Sequence, residues 1–340
     1  MLSNPISDPI ENQLREEAMY KPYRRLNAYL KKKYGEKIYK IALDGGFTCP
    51  NRDGICGTRG CIFCSAGGSG EFATAIRQNS SIDAQIRQAL ARFGDKQTGQ
   101  RFIAYFQAYT GTYAEPERLY TLYHMALSHP NIVGISIATR PDCLPTPVLD
   151  VIKQCQMEFP DKFIWIELGL QSMHEKTALY IRRGYPLSCF EEALTALQVL
   201  SVPVIVHVIL GLPGETQADM LATIDYLSQK NIFGIKLQLL HVLHGTDLAA
   251  EYEQGAFSCL SKEAYIDLLC SCIDHLNPAI ILHRVTGDGP KDLLIAPTWS
   301  LQKRNVLNSL HKALKAGGHY QGRDYIERKS IHDTGSVDTL

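Results

Sequence analysis

Short apolar runs alternate with amphipathic stretches along most of this chain, and nothing else in the sequence restricts the fold as strongly. Runs near Tyr39 to Leu43, Phe102 to Gln107, Val133 to Ala138, Phe163 to Gly169, Val204 to Leu210 and Phe233 to Leu239 read as strands. Between them, Ile82 to Phe93, Glu117 to Leu127, Pro147 to Met157, Cys189 to Leu200 and Thr216 to Gln229 carry helical periodicity. Strands separated by helices pair in parallel, because a crossover of helical length returns the chain to the same end of the sheet. Six such units predict an α/β fold, a partial TIM-like (β/α)6 barrel rather than a closed eight-stranded one, with the C-terminal strand ends gathered at one face.

The loop after the first strand reads CPNRDGICGTRGCIFC and holds Cys49, Cys61 and Cys64. Three thiolates can hold three irons of a [4Fe-4S] cubane and leave the fourth open. An open iron is what S-adenosylmethionine (SAM) needs to chelate metal through its amino and carboxylate groups. Phe63 supplies an apolar face where an adenine could lie. Thiolates also bind zinc, and Cys56 offers a fourth ligand for a structural zinc site, although only Cys61 and Cys64 form the short pair such sites use. Unliganded thiols are the third reading. Cys270 and Cys272 point to different helix faces and Cys143, Cys155, Cys189 and Cys259 stand alone, so no second cluster is expected.

Polar residues recur where the strands end. Gln107, Tyr109 and Thr110 follow the second; Ser136, Thr139, Arg140 and Asp142 the third; Glu167, Gln171 and Ser172 the fourth; His207 lies on the fifth, before a Gly-Leu-Pro-Gly turn. A zwitterionic cofactor with a ribose needs donors, acceptors and a carboxylate converging from several strands. Taken singly, each of these residues also reads as an ordinary loop or capping residue.

Lys plus Arg equals Asp plus Glu, at 35 each in 340 residues, so net charge neither supports nor excludes a polyanionic partner. Charge is uneven, however. Lys21, Arg24, Arg25, Lys31, Lys32, Lys33, Lys37 and Lys40 are opposed only by Glu36 and interleaved with tyrosines. Such a segment suits a phosphate backbone and unpaired bases, or else a solvated helix face whose tyrosines pack on the barrel. A second basic group, Lys303 to Lys329, would join it if the chain ends meet. No apolar run is long enough to span a bilayer and none reads as a secretory segment, so no membrane association and a cytoplasmic location are expected.

The ordered motifs CPNRDG, GCIFC, FQAYT, TRPDCL, ELGLQS, RRGY, GLPGET, HVLHGT and HRVTGDGPKDLLIAP resemble the radical SAM proteins of the YhcC/YtqA family, from about Tyr23 to Asp324. The run CSAGGSGEFA is similar to the YtqA branch, the MnmL type, and the core is distantly similar to the radical SAM domain of the Elongator catalytic subunit. The resemblance implies a radical SAM (β/α)6 core over residues 39–250, a basic N-terminal extension (1–38), a small C-terminal associated region (251–325) and a mobile tail (326–340). It makes Cys49, Cys61 and Cys64 the ligands of a [4Fe-4S] cluster, their long first gap being normal for this family.

By position, Gln107, Glu167, Gln171, Arg183 and His207 fall where related enzymes contact SAM, with Leu212 in the adenine-side turn. Glu167 suits a ribose or amino contact and Arg183 a carboxylate contact; Phe63, Ser136 and Thr139 complete the expected cofactor set. The implied activity is reductive cleavage of SAM to a 5'-deoxyadenosyl radical, with an electron donor such as flavodoxin or ferredoxin. The implied substrate is the wobble uridine of tRNA, whose carboxymethylaminomethyl group at C5 would become aminomethyl. Arg284, Asp288 and His241 are expected to touch substrate, with His283, Thr286 and His244 as neighbours. The alternatives are a radical SAM enzyme acting on a small metabolite or peptide, or a non-catalytic RNA-binding protein holding zinc.

Overall fold

The computed structural model describes residues 22–68, 81–93, 99–287 and 289–327. Seven parallel strands form one curled sheet. They are β1 (Tyr39–Leu43), β2 (Phe102–Phe106), β3 (Ile132–Thr139), β4 (Phe163–Gln171), β5 (Val204–Leu210), β6 (Gly234–Leu239) and, after a short β7 (Val242–Leu243), β8 (Ile281–Arg284). The order β1-β2-β3-β4-β5-β6-β8 makes an open half-barrel. The partial (β/α) barrel is thus as expected, extended by one strand: β8, which begins within the apolar run from Ala279 to Leu282, pairs in parallel with β6 through Ile281, Leu282 and Arg284 and adds a seventh member to the sheet.

Six connections carry the outer helices α2 (Ile82–Phe93), α3 (Pro116–Ser128), α4 (Thr146–Glu158), α5 (Glu175–Tyr180) with α6 (Leu187–Val199), α7 (Gln217–Ser228) and, between β6 and β8, α9 (Lys262–His275). Thr216 and Asp219 close a reciprocal capping box at the start of α7, satisfying amides a bare helix end would leave open. Alternate strand residues, such as Ile166, Leu168 and Leu170 on β4 and Val204, Val206 and Val208 on β5, pack outward against these helices. The intervening residues face the barrel interior, as a two-residue period dictates. A small antiparallel pair, β7 with β9 (Leu294–Ala296), lies near the strands' C-terminal ends, beside α8 (Asp247–Glu253).

At the other end the barrel is closed. Leu30 of α1 (Leu26–Tyr34) is buried with Ile38, Ile103, Val133, Trp165 and Ile205, while Tyr29, Tyr34 and Phe233 pack against them. Two tyrosines of the basic segment therefore serve as packing, and Lys31, Lys32 and Lys33 form an exposed face beneath the floor. The two terminal segments of the described chain do meet. Leu282 N–H donates to Arg24 O at 2.8 Å, Gln321 N–H to Pro22 O at 2.8 Å, and Arg25 lies 2.9 Å from His311 on α10 (Lys303–Gly317). Arg328, Lys329 and the rest of the polar tail lie outside the described residues. No helix among the described residues is long and apolar enough to cross a membrane.

Candidate active site

The cysteine loop is fastened mainly through main-chain groups. Asn51 Nδ2 donates to Arg182 O at 2.7 Å and Arg183 O at 3.3 Å, and lies 3.4 Å from Cys61 Sγ. Arg52 donates to the carbonyls of Cys64 (3.0 Å) and Ser65 (2.5 Å), and Ile62 N–H to Ile181 O at 3.2 Å. Gly184, at φ +84°, allows this approach: a Cβ there would stand 2.6 Å from Asn51 Oδ1. Burial, with Cys64 nearby, pushes the Cys61 thiol up to about 12, so metal must displace its proton.

Cys49, Cys61 and Cys64 line one cavity of about 260 Å³ at the C-terminal ends of the strands. Phe63, Gln107, Thr139, Glu167, Gln171, Arg183, His207, His241 and Arg284 line it too. Cys56 is exposed and lies off this cavity. Among the described residues no three His, Cys, Asp or Glu side chains converge as ligands of a single ion, as a zinc site with bonds of about 2.3 Å would need.

Two polar atoms on the cavity wall lack hydrogen-bond partners although buried: Gln171 Oε1 and Arg183 Nη2. The rest of the Arg183 guanidinium is committed to the carbonyls of Tyr185 (3.0 Å), Leu170 (3.1 Å) and Ser172 (2.7 Å), and Nη2 has only Glu175 Oε2 at ion-pair distance, 3.5 Å. Gln171 sits at φ +67° where the β4–β5 register shifts; Tyr109 and Arg182, at the same rim, are also left-handed. Such strain persists where surrounding structure holds it, and it gathers at functional sites. An orphaned acceptor and an orphaned cationic donor beside three thiols suit the amino and carboxylate groups of SAM bound to a cluster.

Beneath this wall lies a charged network that the sequence reading had not identified. Glu167, fully buried on β4, accepts from Lys40 Nζ (2.6 Å) and Ser136 Oγ (2.5 Å) at Oε1, and from His207 Nε2 (2.6 Å) and Lys236 at Oε2. Lys236 also donates to the Tyr105 hydroxyl at 3.0 Å. Burial alone would raise the Glu167 pKa, but the Lys236 and Lys40 ammoniums and His207 hold it well below the carboxylate range. Burial pushes Lys236 down to about 7 against the pull of Glu167, and His207 down to about 4, so the imidazole is neutral at pH 7.

The expected site residues separate on this geometry. Glu167 has both oxygens occupied by protein donors, so it is the hub of the network rather than a carboxylate free to meet a ribose. Ser136 points at Glu167 and does not line the cavity. The Thr139 hydroxyl is engaged by Thr112, 2.5 Å away, whose own hydrogen goes to Cys143 O. Leu212 does not line the cavity either; it is buried with Ile62, Ile181 and Leu240, with Phe63 packed against them, because its turn folds under the cysteine loop. His241 lines the cavity and donates to Ser300 Oγ at 3.2 Å. Gly287 and Gly289 leave room for its ring, since a Cβ would stand 2.7 and 3.3 Å from it.

His283 does not reach the mouth. It packs edge-on against Trp165 and Phe233 in the floor, and Thr286 is buried. His244 is off the cavity, and Asp288 lies outside the described residues. Lys40 and Lys236 were legible in principle, because a cation inside an otherwise apolar parallel strand demands a buried partner.

Parallel strands, helices on the outer face and a three-cysteine loop at the C-terminal ends together define an enzyme class. The chain belongs to the radical SAM superfamily: it matches that family over residues 54–227 and the radical SAM C-terminal domain over residues 232–316. The class carries a [4Fe-4S] cluster and SAM and draws on an electron donor. Among its relatives, the uncharacterized protein YtqA of Bacillus subtilis is 42% identical over 303 residues, 89% of this chain and 92% of that protein. YhcC of Escherichia coli K12 is 37% identical over 289 residues, 85% of this chain and 91% of that one. The archaeal Methanocaldococcus infernus Elp3 superposes with a TM-score of 0.58 at 16% identity, over 71% of this chain and 59% of that one, a likeness of fold alone.

Proposed function

We propose that this enzyme modifies tRNA at the wobble uridine, converting a carboxymethylaminomethyl group at C5 to aminomethyl. The observation that carries the radical half is the shared cavity of Cys49, Cys61, Cys64, Gln171 and Arg183. In this reading the three cysteines would hold the cluster, Gln171 Oε1 would accept from the SAM amino group and Arg183 Nη2 would meet its carboxylate. Cluster and SAM, when bound, would supply the hydrogen abstraction and, through cleavage of SAM to methionine and 5'-deoxyadenosine, the two-electron oxidation of the methylene between nitrogen and carboxylate, after which water would release the aminomethyl group and a two-carbon oxo acid. The chain's own task is placement. Phe63 offers an apolar face to the adenine, Arg52 and Arg140 set positive charge beside the thiolates, and the closed floor keeps bulk water from the far side.

The tRNA half rests on the motif resemblance to the MnmL type. The basic face on α1 does not add to it, because it lies across the barrel from the strand ends; a base splayed from its loop would enter at the cysteine side. The test is anaerobic turnover. The reconstituted, reduced enzyme with SAM is expected to form 5'-deoxyadenosine when given tRNA bearing the carboxymethylaminomethyl group, and little without it. Equal deoxyadenosine with and without tRNA would sink the assignment and leave a small metabolite or peptide as the substrate.

A further inference from the structure

Among the described residues, the cavity is lined by five cationic side chains, Arg52, Arg140, Arg183, Lys236 and Arg284, and one carboxylate, Glu167. Three of the five are accounted for near the cysteines. Arg52 is bound to carbonyls of the cysteine loop beside its thiols, Arg140 makes a two-pronged pair with Asp142 at 2.9 and 2.6 Å, and Arg183 is pinned by main-chain carbonyls.

Deeper in, the balance fails. Among the described residues, Lys40 and Lys236 both pair with Glu167, and Arg284 has no carboxylate partner of its own. Arg284 stands beside Lys236 in register at the end of β8 and makes no hydrogen bond or ion pair with any described residue. Arg284 is half-buried, and a guanidinium with an open face is matched in shape to a carboxylate. Tyr105, Gln238 and His241 border the same part of the cavity and can bond the atoms flanking such a group.

We infer that Arg284 and Lys236 form an anion subsite that holds a carboxylate of the substrate, so that this enzyme selects substrates by a carboxylate delivered into the barrel. The inference rests on the radical reading of the cavity but not on the nature of the macromolecule that carries the carboxylate. It assigns the inner pair to substrate and Arg183 to the cofactor, each cation to its own anion.

The test is calorimetric titration of the anaerobically reconstituted protein, loaded with SAM, with four probes: N-methylglycine, its methyl ester, uridine and inorganic phosphate. N-methylglycine is expected to bind at least tenfold more tightly than the ester. Arg284→Gln should remove that preference while leaving the affinity for SAM unchanged, and Arg284→Lys should restore part of it. Equal binding of acid and ester by the unsubstituted protein would overturn the subsite without needing any variant, as would no binding of the acid or tighter binding of phosphate. A loss of SAM affinity in Arg284→Gln would also overturn it, by giving these cations to the cofactor's carboxylate. Binding of the acid without uridine would support the subsite and count against a nucleoside substrate; uridine without the acid would do the reverse.

Discussion

Replacing Glu167 by glutamine tests the central network with almost no change of shape. The side chain has no exposed surface and carries, among the described residues, the only carboxylate that Lys40 and Lys236 share. In the glutamine variant, Oε1 still accepts from Lys40 and Ser136, but an amide N–H₂ confronts the Lys236 ammonium. Removing one partner of a buried ion pair costs about 3–5 kcal/mol. Two features favour the lower end: Lys40 is 20% exposed and can turn toward water, and Lys236, already near neutrality, can shed its proton. About 3 kcal/mol, at about 2 °C per kcal/mol for a chain of this size, lowers the midpoint of thermal unfolding by about 6 °C. Adding Lys236→Met removes the stranded cation, so the double variant should lose less than the two single losses combined.

The assay is anaerobic thermal unfolding of the cluster-loaded protein at pH 7.5, beside equilibrium dialysis of SAM. A midpoint within 2 °C of the parent, with SAM binding weakened instead, would refute the network argument and restore Glu167 to the cofactor-contact role its position in ELGLQS implies.

Three further outcomes are expected. Cys61→Ala should drop the iron of the reconstituted protein from about four per chain to below one, whereas Cys56→Ala should retain it, both read by iron and sulfide analysis. Gln171→Leu should leave the SAM-free protein no less stable, since it removes a buried acceptor without a partner, while weakening SAM about tenfold or more by dialysis. Because the Lys236 pKa falls on folding to about 7, the unfolded chain binds the extra proton between pH 7 and about 10. Stability should therefore rise with pH across pH 7 to 8.5, by on the order of 1 kcal/mol per unit, relative to Lys236→Met in urea titrations; parallel curves would show that Lys236 keeps an ordinary pKa.

How much of this was legible follows from what each segment must satisfy alone. The strands were readable because parallel strands are covered on their outer face and so run apolar, as VIVHVIL and GIKLQL do. The seventh was visible as an apolar run near Leu282, but its place beside β6 is a tertiary fact. The three cysteines were readable because their chemistry is carried by spacing within one loop. Glu167, Ser136, His207 and Lys40 were each singled out, but Lys236 was not, and neither was their meeting: the four partners of Glu167 come from four other strands and converge only when the sheet curls. The tyrosines of α1 stood beside so many lysines that a nucleic-acid face and a packing face had the same composition, and only Leu30 buried against Trp165 separates them.

The floor that α1 builds has a kinetic consequence. With Leu30, Trp165 and their neighbours filling the bottom, the cavity is a cup, and its occupants share the mouth at the strands' C-terminal ends. A ligand arm that reaches Lys236 and Arg284 enters and withdraws through that mouth, past whatever is seated at the cysteines. Its exchange is therefore expected to be slower than that of a ligand held at the rim.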